Sequence, residues 1–507
     1  MSRRPAAAHA ATPSRARPAA RRQGAKPSAQ PRQQEAPRQQ KGIPRTGRPP
    51  VTPPAAWEVT AELFPPLDAA AQAALNRLPE ALARVRPLTA AHRRSLPEDI
   101  AALSRALTAE RAELRRPYWS RPAFVSAYLH YFLPWNLVRL TRLFRGLRLP
   151  APGPGPSLLL DAGAGPLTVV LALWLARPEW RSAPVEVLAL DSASQPLELG
   201  RALFAAWGEV LGEPVWPVRL ERGPLESLAA RALPLLRQGA RPWLVTAANV
   251  LNEGRPARRG HGSAREDEDD RDAGASPDDL RDDLEDGPGD ALGERLDRLL
   301  GAWAPLLAPC GAPPAAADGP AGAAPALLFV EPGTRLGGKT LMRLRELALE
   351  GGLSAVAPCT ADTPCPLSRG AWCHFTFSPQ GAPCWLAELT AAAGLSKRSL
   401  SLSPLLLTAA PEGEAGATAP RQAPAPHARV LSSPFAVPGA EGLARYACAP
   451  CGLALLEDAG PVASGSLVRL GPGSSGRDAL SGARIFSAGS SRAYAPRRPP
   501  ARPGKKS

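Results

Sequence analysis

Three cysteines, Cys359, Cys365 and Cys373, stand within 15 residues in a segment broken by prolines and glycines. A single buried cysteine behaves as a small apolar residue, but a polar loop has no core in which to bury three. Their natural chemistry is that of thiolates, which are metal ligands. One further thiolate would complete four ligands for an iron–sulfur cluster or a zinc ion. The late segment Tyr446-Ala447-Cys448-Ala449-Pro450-Cys451-Gly452 supplies it. Five and then seven residues separate the first three cysteines, unlike the C-x-x-C knuckle usual for zinc, which tilts the reading to iron–sulfur. Cys448 and Cys451 do form a C-x-x-C, so zinc stays open. Cys310 and Cys384 are read as ordinary thiols, Cys384 in a loop. The seven cysteines, with no apolar secretory core at the N-terminus, point to a reducing compartment, where clustered cysteines suggest metal rather than disulfides.

A second stretch with chemistry is Leu158-Leu159-Leu160-Asp161-Ala162-Gly163-Ala164-Gly165. It reads as a buried strand ending in an acid and a glycine turn, with a helix from Val169. Gly163 and Gly165 let the main chain approach a ligand. Val185 to Asp191 reads as a second strand ending in a carboxylate, placed to accept the hydroxyls of a ribose. A dinucleotide site wants G-x-G-x-x-G, and Thr168 stands where the third glycine belongs. An ordinary glycine turn leaves Asp191 unexplained. The D-x-G-x-G pattern with the second acid instead resembles the S-adenosylmethionine-dependent methyltransferases. Asp161, Gly163, Gly165, Asp191 and, after a later strand, Asn249 are the candidate cofactor contacts.

The chain has 507 residues, enough for two or three domains, and its 61 prolines and 45 glycines leave part of it outside any packed core. Residues 1–55 form a basic, acid-poor segment expected to be disordered, an RNA-touching arm or a transit peptide. Residues 56–150 read as helical, with a capping box at Ser95-Leu96-Pro97-Glu98 and one apolar face at Ile100, Leu103, Leu107 and Leu114. An aromatic and basic block follows, including Phe124, Tyr128, Tyr131, Trp135, Arg142 and Phe144. It suits either RNA stacking or, preferred here, helices packed on the next domain with their arginines in water. Pro134 is expected to break this block into two helices.

Residues 151–353 read as a Rossmann-like α/β domain, with further strands over Val215–Leu220, from Trp243, and over Ala326–Glu331. An acidic insertion at 254–291 is expected to be solvated. Residues 354–486 form the cysteine-rich region with the last strands, 409–426 a linker, and 487–507 a basic tail. The net charge of +15 suggests a polyanionic partner such as RNA, or serves solubility. No apolar run is long enough to span a membrane.

Together the two clusters resemble the methyltransferase-like assembly factor family of the small ribosomal subunit, found in bacteria and mitochondria. The resemblance rests on Leu160 to Pro166, on Ala248-Asn249-Val250-Leu251-Asn252-Glu253, and on Phe329-Val330-Glu331-Pro332-Gly333-Thr334. It rests most on Ala357-Pro358-Cys359, Pro364-Cys365-Pro366-Leu367 and Trp372-Cys373-His374-Phe375, and it covers about residues 95–455. It implies a Rossmann-like methyltransferase fold, S-adenosylmethionine, and a [4Fe–4S] cluster on Cys359, Cys365, Cys373 and Cys448. It also implies small-subunit ribosomal RNA and ribosomal proteins as partners. The expected setting is the bacterial cytoplasm, with the mitochondrial matrix as the alternative, and the expected state is a monomer. The D/N-P-P-aromatic loop of amino-group methyltransferases is replaced by Asn249-Val250-Leu251-Asn252, and no Pro-Cys nucleophile stands there. Active RNA methylation, and methylation of a small molecule or protein, are the alternatives.

Overall fold

The N-terminal region opens with a strand, β1 (Val59–Glu62), where helix was expected. Its β-branched Val59 and Thr60 suit extended chain, and it pairs antiparallel with residues 466–468. The computed structural model describes residues 57–108, 118–252, 290–307, 325–367, 371–409, 426–437, 442–471 and 476–488, all in one compact unit spanning Pro54–Ser507. The basic arm, all but the end of the acidic insertion, Leu114, Cys310, all but the two end residues of the linker and nearly all of the basic tail lie outside the described residues.

Helices α1 (Ala69–Asn76), α2 (Leu78–Val85) and α3 (Ala90–Thr108) follow. The expected capping box is displaced. Thr89 Oγ1 accepts from His92 N at 3.2 Å, so the helix starts earlier. Ser95 therefore lies inside the helix, where its hydroxyl donates to His92 O. Helices α4 (Pro122–Ala127) and α5 (Leu133–Gly146) are joined without a break by a π-helical turn over Tyr128–Phe132, in which Leu133 N donates to Tyr128 O. This wider turn absorbs Pro134, which has no N–H to give, so the expected break is absent. Phe124, Tyr131, Trp135 and Phe144 are buried. Arg142 is not in water as expected: it is buried and donates to Phe64 O and Pro65 O, while Arg145 pairs with Asp68. Those four aromatics are core and are not available to stack on RNA, while Tyr128 is half-buried.

The central sheet then builds from β2 (Ser157–Ala162), α6 (Thr168–Ala176), β3 (Val185–Asp191), α7 (Ser194–Leu211), β4 (Val218–Arg222), α8 (Leu228–Arg237) and β5 (Arg241–Ala248). It continues with α9 (Ala291–Leu307), β6 (Ala326–Pro332), α10 (Arg335–Glu350), β7 (Leu353–Ala357), β8 (Phe375–Phe377), α11 (Cys384–Ala392) and β9 (Leu400–Ala409). Strand β4 starts later than expected because Pro217 lacks an N–H for the ladder; its carbonyl accepts Val187 N instead. The strand order is β4-β3-β2-β5-β6-β9-β7, with β8 beside β9. Strands β4 to β6 are mutually parallel, and β9 runs antiparallel to both neighbours. Alternation along the strands divides the core. Leu159, Val187 and Leu244 face α5, α6 and α7, while Leu158, Leu160, Leu188 and Val245 face α8, α9 and α10. Burial on both faces explains the unbroken apolar runs of these strands.

A second sheet closes the chain: β10 (His427–Val430), β11 (Phe435–Ala436), β12 (Leu443–Ala449), β13 (Gly452–Leu456), β14 (Ser466–Arg469), β15 (Gly476–Arg477) and β16 (Arg484–Phe486). Its order is β1-β14-β10-β12-β13-β16-β15, with β11 on β12. The β12–β13 hairpin turns through Pro450-Cys451. Trp57 Nε1 donates to Glu457 O at 2.9 Å, tying the N-terminal segment to this sheet.

Candidate functional site

The glycine turn lies at the C-terminal ends of β2 and β3, the edge at which parallel α/β sheets take ligands. Gly163 N and Ala164 N both donate to Leu190 O. Gly163, at φ +69°, has Val250 Cγ2 2.6 Å from where a Cβ would lie, so its missing side chain makes room for the 249–252 loop. Gly165, at φ +49°, has open space on that side. Its N–H donates to Asp191 Oδ2 at 2.9 Å, and Asp191 Oδ1 accepts from Ala193 N at 2.9 Å. Asp191 thus braces the glycine turn and the entry to α7. A carboxylate has about four acceptor positions, so two main-chain donors and the Ser192 hydroxyl, at 3.4 Å from Oδ1, still leave capacity for a ligand hydroxyl.

Asp161 sits beneath this turn with no exposed surface. Thr246 Oγ1 donates to its Oδ1 at 2.7 Å, while Oδ2 has no partner among the described residues. Burial pushes its carboxyl up to about 7, and the charge of Asp191 adds to the rise against the Thr246 hydrogen bond. The acid at the end of β2 is therefore poised between its two protonation states near neutral pH.

Asn249 turns the chain out of β5 at φ +59°, with its N–H on Val330 O. The loop after it is held by a residue whose role the sequence did not reveal. Glu331, 1 % exposed, accepts Val250 N (3.1 Å) and Leu251 N (2.9 Å) on Oε1 and Asn252 Nδ2 (3.0 Å) on Oε2. Thr340 Oγ1 completes the net by donating to Asn252 Oδ1 at 2.8 Å. The only sequence signal was an acid ending an otherwise apolar strand.

The cysteine region lies where the two sheets meet. Cys359 follows β7, Cys373 precedes β8, and Cys448 is within β12, opposite Arg429 and Leu453. Arg345, from α10, donates Nε to Cys359 Sγ at 3.1 Å and a terminal nitrogen to Ala361 O and Thr363 O, both at 2.8 Å. Arg429, from β10, donates to Pro358 O and Gly465 O. Thr360 reaches Cys448 O at 3.5 Å, and Ser403 Oγ donates to Cys373 O at 2.8 Å.

Burial raises the Cys373 thiol well above its usual range, and Cys359, Cys365 and Cys448 each push it further. Burial likewise lifts Cys448 to about 12, again with Cys359 and Cys365 adding. Cys359 also rises through burial, against the pull of Arg345. Cys359, Cys365, Cys373 and Cys448 are all half-buried, whereas Cys451 is exposed in the hairpin turn. Among the described residues, no three His, Cys, Asp or Glu side chains converge on a point that could hold one metal ion. Cys384 is exposed on the first residue of α11, a helix rather than the expected loop.

The fold is thus mixed α/β, with a parallel sheet between helical layers. The family model for the mitochondrial small ribosomal subunit protein Rsm22 matches residues 318–381. That span contains Glu331, Cys359, Cys365 and Cys373. The arsenic (III) S-adenosylmethionine methyltransferase CrArsM of Chlamydomonas reinhardtii is a structural neighbour at 14 % identity and a TM-score of 0.24, over 57 % of this chain and 76 % of its own. A superposition that loose has no bearing on the site. No curated protein matches the chain. Among the described residues, no helix is long and apolar enough to cross a membrane.

Proposed function

We propose that this chain is a ribosomal-RNA-binding, methyltransferase-like factor of small-ribosomal-subunit assembly or translation. The observation that carries the reading is the Rsm22 match over residues 318–381, since the matched family belongs to that subunit. The family's description favours the mitochondrial matrix over a bacterial cytoplasm. The net charge of +15 supports a polyanionic partner. The strand order, five parallel strands β4-β3-β2-β5-β6 followed by antiparallel β9, supports a Rossmann-like fold.

S-adenosylmethionine is the proposed ligand of the glycine turn, with Gly165, Asp191 and Asn249 around it and Asp161 beneath. Support comes from the open side of Gly165 and the spare acceptor capacity of Asp191. A methyl-donor cofactor would supply an electrophilic methyl group. The chain's own part would be to accept the ribose hydroxyls and hold the 249–252 loop.

A [4Fe–4S] cluster is the proposed ligand of Cys359, Cys365, Cys373 and Cys448. Support comes from the donor chemistry, four cysteines at the junction of the two sheets, and from Arg345 Nε donating to Cys359 Sγ. Zinc would need every sulfur about 2.3 Å from one centre. Zinc remains the alternative ligand of the same four thiols.

The test is affinity purification of the full chain from cells, with sequencing of the co-purifying RNA. Small-subunit ribosomal RNA enriched well above an equally basic control is expected; no enrichment, or binding lost by moderate salt as for the control, would remove the reading. Tritiated S-adenosylmethionine with immature subunits separates a methylating factor from a binding one.

A further inference from the structure

Two arginines are buried beside the thiols, and among the described residues only one carboxylate, Asp362, acts on either of them. Arg345 is 5 % exposed and Arg429 8 % exposed. Their hydrogen bonds go to main-chain carbonyls and to Cys359 Sγ, and neither makes an ion pair with a carboxylate among the described residues. A guanidinium removed from water is costly unless an opposite charge replaces the hydration it loses. The other charged groups felt there are Asp362 by Arg345 and Arg148 by Arg429. Asp362, whose Oδ1 accepts Ala355 N, offsets one of the two guanidiniums, and Arg148 is exposed on the chain leaving α5. The buried ledge therefore carries an excess of positive charge, contributed by both sheets.

We infer that Arg345 and Arg429 are the countercharges of the group the four cysteines hold, each sheet providing one. The inference rests on the cluster reading above. Four thiolates around an oxidised [4Fe–4S] core carry about two net negative charges, which the two guanidiniums oppose. Arg345 also occupies the position of an outer-shell residue: it donates to a ligand sulfur and holds the 361–363 main chain in place. Hydrogen bonds to sulfur and nearby positive charge both stabilise the reduced, more negative cluster.

The test uses the full chain purified without oxygen, with Arg345→Gln, Arg345→Lys, Arg429→Gln and Arg429→Lys. Iron and sulfide content, the midpoint of a dye-mediated dithionite titration, and the rate of bleaching by a chelator are read for each. Each Gln variant is expected to favour the oxidised cluster about tenfold, a midpoint about 59 mV lower for a one-electron couple, and to bleach faster. Each Lys variant, which keeps the charge, should recover most of both effects. Should a Gln variant lose its cluster, iron retained by the matching Lys variant supports the inference. Gln variants equal to wild type in content, midpoint and bleaching overturn it while leaving the cluster intact. Lys variants as impaired as Gln, with unchanged circular dichroism, also overturn it, because loop tethering rather than charge would then be the role. A wild-type chain without iron and sulfide would remove the cluster reading itself.

Discussion

Replacing Glu331 with alanine should unfasten the loop that follows β5. The carboxylate accepts Val250 N, Leu251 N and Asn252 Nδ2 at 2.9 to 3.1 Å from a position 1 % exposed. Each hydrogen bond to a charged group is worth about 1.5–3 kcal/mol. The three share one acceptor and do not add, so a loss of about 3–5 kcal/mol is expected, the usual cost of breaking a buried charged network. Glu331→Gln gives a sharper test. Its Oε1 can keep both main-chain donors, but its Nε2 would face Asn252 Nδ2, donor against donor. Asn252 relieves the clash by turning its amide over, because the Thr340 hydroxyl can accept as well as donate. The glutamine variant should therefore lose only about 1–2 kcal/mol. Urea unfolding of the three proteins reads the stabilities, and calorimetry with S-adenosylmethionine reads the loop, whose affinity should fall for alanine and stay close to wild type for glutamine. An alanine variant as stable as wild type, or a glutamine variant as damaged as alanine, would refute this account of Glu331.

The buried carboxyl of Asp161 makes stability depend on pH. Its folded value near 7 lies above the unfolded one, so the folded state keeps a proton that the unfolded state has lost, and stability falls as pH rises from about 4 to 7. Asp161→Asn should abolish that component, worth up to about 4 kcal/mol at about 1.4 kcal/mol per pH unit; unfolding curves at pH 5 and 8 check it, and an unchanged difference between them would count against it. Asp191→Ala should weaken S-adenosylmethionine binding ten- to a hundredfold, for a lost charged partner worth about 1.5–3 kcal/mol. It should also cost about 1–3 kcal/mol of stability by orphaning Gly165 N and Ala193 N. A stability loss with unchanged affinity would make Asp191 a brace only. Cys448→Ser should bleach the anaerobically purified protein and Cys451→Ser should not; the reverse result would exchange their roles.

The parallel sheet was legible because its strands are buried on both faces and read as apolar runs ending at Asp161, Asp191 and Glu331. Local competition blurred the boundaries. Thr89 outbid Ser95 as a helix cap, Pro217 delayed β4, and a π turn carried the helix past Pro134. Long-range pairing was illegible. Four residues at Val59–Glu62 form a strand only because residues 466–468 offer an edge some 400 positions later. The site shows the same division. The cysteines and glycines announce themselves by type and spacing. Glu331 was marked only as an acid ending an apolar strand, nothing local marks Arg345 or Arg429, and all three act through partners on other elements.

The cysteine centre at the junction of the two sheets is tested most directly by the metal content of the full chain purified without oxygen. A brown protein with broad absorbance near about 400 nm, and about four iron and four sulfide per chain, is expected of four thiolates holding a cluster. Serine at Cys359, Cys365, Cys373 or Cys448 should each abolish the colour and leave residues 354–450 open to proteolysis, because the bound group contributes folding free energy to the loop. A colourless protein holding one zinc per chain, or no metal at all, would contradict the account.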